Sequence, residues 1–514
     1  MTQCTALAPL LAIPPLSLLP LDLLRRLLVP AREVALLVIR FRGSEPTPQS
    51  TRDFEQKLFE LLREVGRVIV RWAYNDLEPG GGPRARDLMP KRLLFAGVWY
   101  RRNGRKTANR HVATLFGTIT LMRTLYRPID ELVPCLFPLE LRLGLEAGRA
   151  TPALADRVGR HAARCTQQAV LRTLRDDHGV GWSVHLLRKV TASVAEGMAA
   201  HRHAAQVQKL LGLLEQAFAS RGDRRPTLAV GRDGVFVPVR GGRGRSRQPC
   251  YREGAVATVS VLDCRGGRLG TVYLARMPEE GQGTLSGQLT ALIQEVLRGW
   301  AGAMPRLAYV TDAGHHPTRY YKQVLRRMRD PRSGRRLRWE WVLDYYHACQ
   351  YLTRLADALF GAAREGRDAL AWAAKMRKWL RDKPKGIHRV LHSAAALRHR
   401  RGLAATAGAA GAFEEAYAYL SKRIAHLDYH GYRRLRLPIG SGVTEACCKT
   451  VFTQRLKQSG MSWDVESGQA VVDLRVADLS GTWEATYDAY LRSKGDQTLP
   501  TQQASGGKQS EKAA

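Results

Sequence analysis

Between Thr51 and Asn75, the apolar residues Phe54, Leu58, Leu61, Leu62, Val65, Val68 and Ile69 recur at helical spacing and predict an amphipathic helix. The turn-rich run Pro79-Gly80-Gly81-Gly82-Pro83 ends it. From Val112 to Tyr126, β-branched and apolar residues around Gly117 predict a hairpin. The basic stretch before it, Tyr100 to Lys106, reads as a solvated turn and equally as a phosphate contact. Thr151 to Ala199 is helical, divided by a turn at Asp177–Trp182. Ser183 is placed to cap the second helix, and Val184, Leu187, Val190 and Val194 form its buried stripe, so His185, Arg188 and Lys189 face outward. This pattern fits a helix-turn-helix that inserts into a major groove. It fits an ordinary αα-hairpin equally well.

The pattern changes after Arg225. Leu228–Val230 runs to Asp233-Gly234 and continues through Val235–Val239. Ala255–Leu262 and Gly270–Ala275 are further strands joined by a Gly266-Gly267 turn. Then come a helix at Leu285–Trp300, a strand at Leu307–Val310, a helix at Tyr320–Met328 and a strand at Leu337–Leu343. Three strands followed by alternating helix and strand predict a mixed α/β sheet. From Tyr351 to about His430 the chain is almost wholly helical, with Leu352, Leu355 and Leu359 on one face and Trp372, Met376 and Trp379 on another. A last helical region runs from Pro438 to about Leu491.

The expected organisation is a disordered leader over residues 1–50 and a mainly helical N-terminal DNA-binding region over 51–205. The sheet core occupies 206–350, an all-helical insertion 351–435, a returning core helix 436–492, and a disordered tail 493–514. The leader carries no charge before Asp22, but it lacks a basic start and is broken by Pro9, Pro14, Pro15 and Pro20, so neither an export signal nor a membrane span is expected. It reads as a poorly ordered leader or an upstream-extended start.

Charge adds a partner to this picture. Lys plus Arg minus Asp plus Glu is 81 − 46 = +35, spread along all 514 residues. Neutralising phosphates releases condensed counterions, so nucleic acid is the expected partner. None of the eight cysteines forms a C-x-x-C pair, which argues against a zinc ribbon or disulfide framework and for a reducing, cytoplasmic setting close to the nucleoid.

Within this cationic chain, Asp233 and Asp312 each end an apolar strand-like run and each is followed closely by a glycine, Gly234 or Gly314. Glu445 lies in the first turn of a helix whose later turns are basic. An aspartate at a strand end is commonly a turn former or a cap. Three acids in separate elements of one α/β region instead suggest a metal site acting on DNA, because carboxylates suit Mg²⁺ and two such ions can activate a hydroxyl and stabilise a leaving oxygen.

The runs Arg306-Leu-Ala-Tyr-Val-Thr-Asp312, Trp341-Val-Leu-Asp-Tyr-Tyr-His347-Ala-Cys-Gln-Tyr-Leu352 and Pro438-Ile-Gly-Ser-Gly-Val-Thr-Glu445 resemble DDE transposases of bacterial insertion sequences. The branch resembled places a helical insertion before the glutamate, as Mutator-like and hAT transposases do. The likeness extends from about Tyr100 to Leu491 and is most specific from Ile439 to Trp463. It implies an RNase H-like core with Asp233 on the first strand, Asp312 on the fourth and Glu445 on a late helix, spaced by 312 − 233 = 79 and 445 − 312 = 133 residues. It further implies two Mg²⁺ ions, with Mn²⁺ as a substitute, held by those three residues. Metal-dependent cleavage and strand transfer would act on duplex DNA at element ends, by at least a homodimer.

Asp344 and His347 match a [C/D]-x-x-H element of these families and are expected to support the site, with a core-structural reading of His347 equally open. Asp344 is also the rival of Asp312 for the second ligand position. Lys449, Arg455 and Lys457, with Arg188 and Lys189, are the DNA-contact candidates. Lys449 also stands where it would form an i,i+4 pair with Glu445. One departure from the family pattern is Phe452, where some DDE enzymes carry a basic residue. His315 and His316 read as loop residues rather than zinc ligands, and Gly241–Arg247 as a basic hairpin rather than a nucleotide-binding loop. Two further readings remain open: a domesticated or decayed DNA-binding protein without catalysis, and a nuclease of the same fold that cuts without joining.

Overall fold

A computed structural model describes residues 21–78, 89–129, 132–241, 250–361, 367–401, 407–496 and 501–502. It divides into two compact units, residues 1–194 with 488–514 and residues 195–487. The expected turn at Pro79–Pro83 and most of the Gly241–Arg247 loop lie outside the described residues. No described helix is long and apolar enough to cross a membrane.

The first unit begins with two helices, α1 (Leu21–Arg42) and α2 (Pro48–Asp76). The expectation of disorder up to residue 50 is therefore corrected from Leu21 onward. The charged residues Asp22, Arg25 and Arg26 open an amphipathic helix here, and Pro30 sits inside it. Helix α2 is the one predicted, with a capping box between Thr47 and Ser50. Strands β1 (Arg92–Phe95), β2 (Val98–Thr114) and β3 (Gly117–Pro128) form an antiparallel meander. The hairpin around Gly117 is as expected, but Tyr100–Lys106 lies within β2 and is not a turn.

Helices α3 (Pro152–Arg164) and α4 (Gln167–His178) are separated by a break at Cys165-Thr166 that was not expected, where Thr166 caps the second. Helix α5 (Val184–Ala219) starts after Ser183, whose hydroxyl accepts from the Leu186 amide at 3.3 Å. Leu187, Val190 and Val194 are buried while His185, Arg188 and Lys189 are exposed, as the stripe predicted. The tail is ordered further than expected: a helix over Trp483–Asp496 includes Ser493, and Thr501–Gln502 pairs with β1.

In the second unit the sheet order is β6-β5-β4-β7-β8. Strands β4 (Thr227–Val239), β5 (Cys250–Leu262) and β6 (Arg268–Arg276) are antiparallel, while β7 (Arg306–Thr311) and β8 (Trp339–Leu343) run parallel to β4. This is the mixed α/β arrangement read from the sequence. Helix α6 (Gly283–Gly299) and the end of α5 bury Leu289, Ile293, Leu210 and Leu214 in the same core as Leu228 and Val230. Toward the other end of β4, Val237 and Val239 meet Val451, Phe452 and Val472 from the C-terminal helices.

The predicted helical stretch is present as α8 (Tyr345–Phe360), α9 (Arg367–Asp382), α10 (Gly386–Arg401) and α11 (Ala407–Ser421), which follow α7 (His315–Gln323). Its buried Leu352, Leu355, Trp372 and Met376 join the sheet's own core, so sheet and helices share one hydrophobic interior.

A buried carboxylate ties the C-terminal helix into the first unit. Glu146 is fully buried and accepts from Ser193 Oγ (2.8 Å), Tyr490 OH (2.9 Å) and Lys494 Nζ (2.7 Å). Removing one member of a buried pair leaves the other charge uncompensated. Glu146→Ala is therefore expected to lower unfolding stability by about 3 kcal/mol in urea titrations. A loss below about 0.5 kcal/mol, the scale of a surface substitution, would contradict this role.

Candidate active site

Asp233 does not end a strand. It stands at the middle of the 13-residue β4, and the backbone pairs on both sides of it, from Gly231↔Thr258 to Val235↔Gly254. Gly234 is correspondingly not a turn residue. On the sheet face opposite Asp233, a Cβ at Gly234 would lie 1.9 Å from Glu253 Oε1, so the missing side chain makes room for that carboxylate.

The parallel pairing of β4 with β7 brings the two aspartates level. Its register matches Thr227 to Arg306 and Gly231 to Val310, an offset of 310 − 231 = 79 residues. Asp312 follows the last residue of β7 and is 79 residues from Asp233, the same offset as the pairing, so the register carries the two acids to one level of the sheet. Asp312 turns sharply after the strand: its Oδ1 accepts from the Gly314 amide at 2.9 Å, and Ala313 adopts a left-handed φ of 60°. The Asp312 carbonyl accepts from Tyr419 OH at 3.0 Å, which ties α11 to this turn. Tyr419 is stacked on Tyr351 at 3.6 Å, with Arg423 over its ring at 4.0 Å and the His347 ring edge-on at 5.8 Å.

Glu445 comes from the short helix α12 (Gly442–Cys447), pressed closely against β4. A Cβ at Gly231 would fall 2.0 Å from Thr444 Oγ1, and that hydroxyl also bonds Thr258 Oγ1 at 2.8 Å. Glycine at 231 is thus required for the helix to approach the sheet. Asp344 holds the segment before it. One carboxylate oxygen caps α8 through the His347 amide (2.6 Å), while the other accepts from the Ser441 hydroxyl (2.6 Å) and the Ser441 amide. Both oxygens of Asp344 are therefore engaged by the protein itself, while Asp312 accepts from the Gly314 amide through Oδ1.

Beyond Glu445 the helix opens into a π turn, Cys448–Thr453, and Cys448 Sγ donates to Asp233 Oδ2 at 3.5 Å. The other Asp233 oxygen accepts from the Gly234 amide at 2.7 Å. Burial raises the Asp233 carboxyl to about 6, helped by the like charges of Asp312 and Glu445 and opposed by the Gly234 and Cys448 hydrogen bonds. Asp233 therefore feels the charge of both other acids. Among the described residues no three His, Cys, Asp or Glu side chains lie close enough together to hold an ion. Glu445 is exposed and paired with Lys449 at 2.8 Å.

The remaining candidates divide. Lys449 is exposed and Lys457 half-buried. Arg455 is corrected: it is 1 % exposed, its guanidinium 5.2 Å from the Trp463 ring, and offers no surface to DNA. The π turn accounts for this, because its extra residue per turn rotates everything that follows. Phe452 is fully buried by the same turn, so a basic residue has no place there. Arg188 and Lys189 are exposed in the other unit, Arg188 bonded to Gln167 Oε1 at 3.1 Å. His315 and His316 open α7 rather than a loop. Cys448, Tyr419, Ser441 and the Gly231–Thr444 contact were not anticipated. Of these only Gly231, a glycine within an apolar strand, carried a local signal of close approach.

Compared with known proteins, the chain matches no family model and no curated relative.

Two predictions follow from this geometry. Gly231→Ala should lower stability by about 1–3 kcal/mol through overpacking, and Thr444→Ala in the same chain should recover part of that loss. Strict additivity of the two changes in urea denaturation would contradict the close approach. The second concerns pH. Folded Asp233 holds its proton up to about 6, against 3.8 for an ordinary carboxyl. In that window the folded chain binds the proton and the unfolded chain does not, so this residue's contribution weakens as pH rises and is least favourable above the folded value. With chelator present, Asp233→Asn should raise the melting temperature at pH 7.5 and have little effect near pH 4. Equal effects at both pH values would contradict the assignment.

Proposed function

We propose that this protein is a DDE-type DNA transposase whose Asp233, Asp312 and Glu445 carry out metal-dependent cleavage and strand transfer at the ends of an insertion sequence. One observation carries the reading most directly. Two aspartates stand level on neighbouring parallel strands, and a glutamate from a late helix lies close enough for its charge to act on the first of them. The strand order supports an RNase H-like core: three antiparallel strands precede two that run parallel to the first, with Asp233 within the first strand and Asp312 directly after the fourth. The helices between Tyr345 and Ser421 occupy the position of the expected insertion.

The donor set fits divalent cations. All three residues are hard carboxylates in a chain of net charge +35, and burial, with added repulsion from Asp312 and Glu445, raises Asp233, a cost that a cation would relieve. Asp233, Asp312 and Glu445 would hold two Mg²⁺ ions, with Mn²⁺ as a substitute, and such ions activate an attacking hydroxyl and stabilise the departing oxygen.

The protein's part is positional. Gly234 and Cys448 orient the Asp233 carboxylate, while Gly314 and Tyr419 fix the Asp312 turn. Asp344, through Ser441, sets the start of the Glu445 helix. Lys449, paired with Glu445, is free to exchange that partner for a DNA phosphate once the glutamate is engaged elsewhere. Water is the nucleophile in cleavage and a DNA 3′-hydroxyl in joining, so no covalent protein intermediate is needed.

Labelled element ends incubated with the protein and Mg²⁺ test this. Joined products are expected from the native chain. Glu445→Gln should reduce turnover by at least 10³-fold, on the order of losing a preorganised transition-state contact, with DNA affinity within a few-fold of native. Cut ends without joining would favour the nuclease reading. A shifted band without chemistry would favour a binding protein, and full activity in Glu445→Gln would remove the glutamate from the site.

A further inference from the structure

A cavity of about 150 Å³ lies on the sheet face that carries Asp233, beside the helix of Glu445. Ala229, Gly231 and Asp233 are alternate residues of β4 and share that face. Their neighbours are Ser260 and Thr258 on β5 and Val310 on β7, so the floor of the cavity is made of short side chains. Its roof is the irregular segment from Pro438 to Ser441 and the first turn of α12, with Val443 and Thr444. Such a segment offers no helical ridge to fill the space above short residues, and the void is what remains.

Packed interiors keep few voids larger than a water molecule, and an unfilled one costs more stability the larger it is. Water is a poor occupant here. The four hydroxyls on the wall are each bonded inside the protein: Thr258 to Thr444 at 2.8 Å, Ser260 to Thr271 at 2.7 Å, and Ser441 to Asp344 at 2.6 Å. A buried water needs several polar partners, whereas a dry cavity of about this size accepts a benzene ring.

Charge at the mouth selects the ligand further. Arg268, the first residue of β6, lines the cavity, is exposed, and has no hydrogen-bond or ionic partner among the described residues. No described acidic residue lines the cavity. Asp263, across the β5–β6 turn, is committed to the Arg265 and Gly267 amides at 2.9 and 2.7 Å. A guanidinium with free donors beside an apolar chamber suits a carboxylate on a ring-sized apolar body. A nucleobase fits less well, because its polar edge would have to compete for hydroxyls that already have partners.

We infer that this cavity is a binding site for a small monocarboxylate, whose apolar body fills the space between Ala229 and Val443 and whose carboxylate pairs with Arg268. Its occupant also braces the start of α12. Ser441 and Thr444 are wall residues, and the Thr444 and Glu445 amides donate to the Ser441 carbonyl at 2.8 and 2.9 Å. Filling the cavity therefore holds the turn that presents Glu445. The site rests on the cavity alone, and only an effect on turnover would rest on the chemistry proposed for Glu445.

Calorimetric titration of the full chain with benzoate, in chelator and without DNA, tests it. Binding is expected with a dissociation constant of about 1 mM or tighter, the range open to a ligand of so few atoms. Ala229→Ile and Val443→Phe, which fill the space from opposite walls, should each weaken binding by about tenfold or more while circular dichroism remains native. The second serves should the first impair folding. Arg268→Gln should weaken benzoate by about tenfold and leave benzyl alcohol, an uncharged counterpart, within about twofold. Hydrogen exchange at the Thr444 and Glu445 amides should slow by about threefold or more in saturating benzoate. No binding at about 10 mM benzoate, well above the range expected for such a ligand, would overturn the inference. So would binding indifferent to both filling variants, or equal losses of benzoate and benzyl alcohol in Arg268→Gln. Binding that leaves exchange at the two amides unchanged would overturn the brace on α12. Neither readout uses metal, DNA or turnover, so failure of the proposed chemistry would show in the cleavage assay and not here.

Discussion

The pairing of β4 with β7 is the constraint on which the site rests. Parallel strands hold a fixed register, and here the offset between paired residues equals the distance in sequence between Asp233 and Asp312. A slip of one residue would send one carboxylate to the opposite face of the sheet. Extended apolar burial on both sides of β4 prevents that slip. The third acid depends on a different contact, the approach of Thr444 to a strand position without a side chain. The Asp233 carboxyl is raised chiefly by its burial in this packing, with a smaller contribution from the charges of Asp312 and Glu445.

The positioning groups form a shell around this centre. Asp344 is notable because its chemistry resembles that of a metal ligand while its geometry is that of a clamp. With one oxygen on the α8 amide and the other on Ser441, it links the end of β8 to the approach of the Glu445 helix. Tyr419 does comparable work from α11, stacked on Tyr351 and covered by Arg423. The helical segment thus packs into the sheet core and also reaches the Asp312 turn through a single hydroxyl.

Much of this architecture was legible in the sequence, and the failures have physical causes. Alternation and apolar runs located the five strands of the mixed sheet, because half-buried and buried strands impose those patterns. Asp233 was read as a strand end because a polar residue followed by glycine interrupts an apolar run; the strand continues, and the glycine makes room for Glu253 on the far face. Arg455, named as a DNA contact for its charge, is buried after a π turn that linear spacing does not signal. The leader was read as poorly ordered from Pro9, Pro14, Pro15 and Pro20, but from Leu21 it forms α1, which accommodates a further proline, Pro30, in its interior. Tyr419 and Cys448 meet the site only through tertiary packing, for which a linear pattern gives no signal.

The central claim is that Asp233, Asp312 and Glu445 share a divalent ion. Adding Fe²⁺ to the protein and generating hydroxyl radicals from it would cut the polypeptide close to wherever that ion binds, and mass spectrometry would locate the cuts. Cleavage clustered around residues 233, 312 and 445 together, and suppressed by excess Mg²⁺, is the expected result. Cuts confined to one of these segments, or scattered without regard to them, would contradict the account.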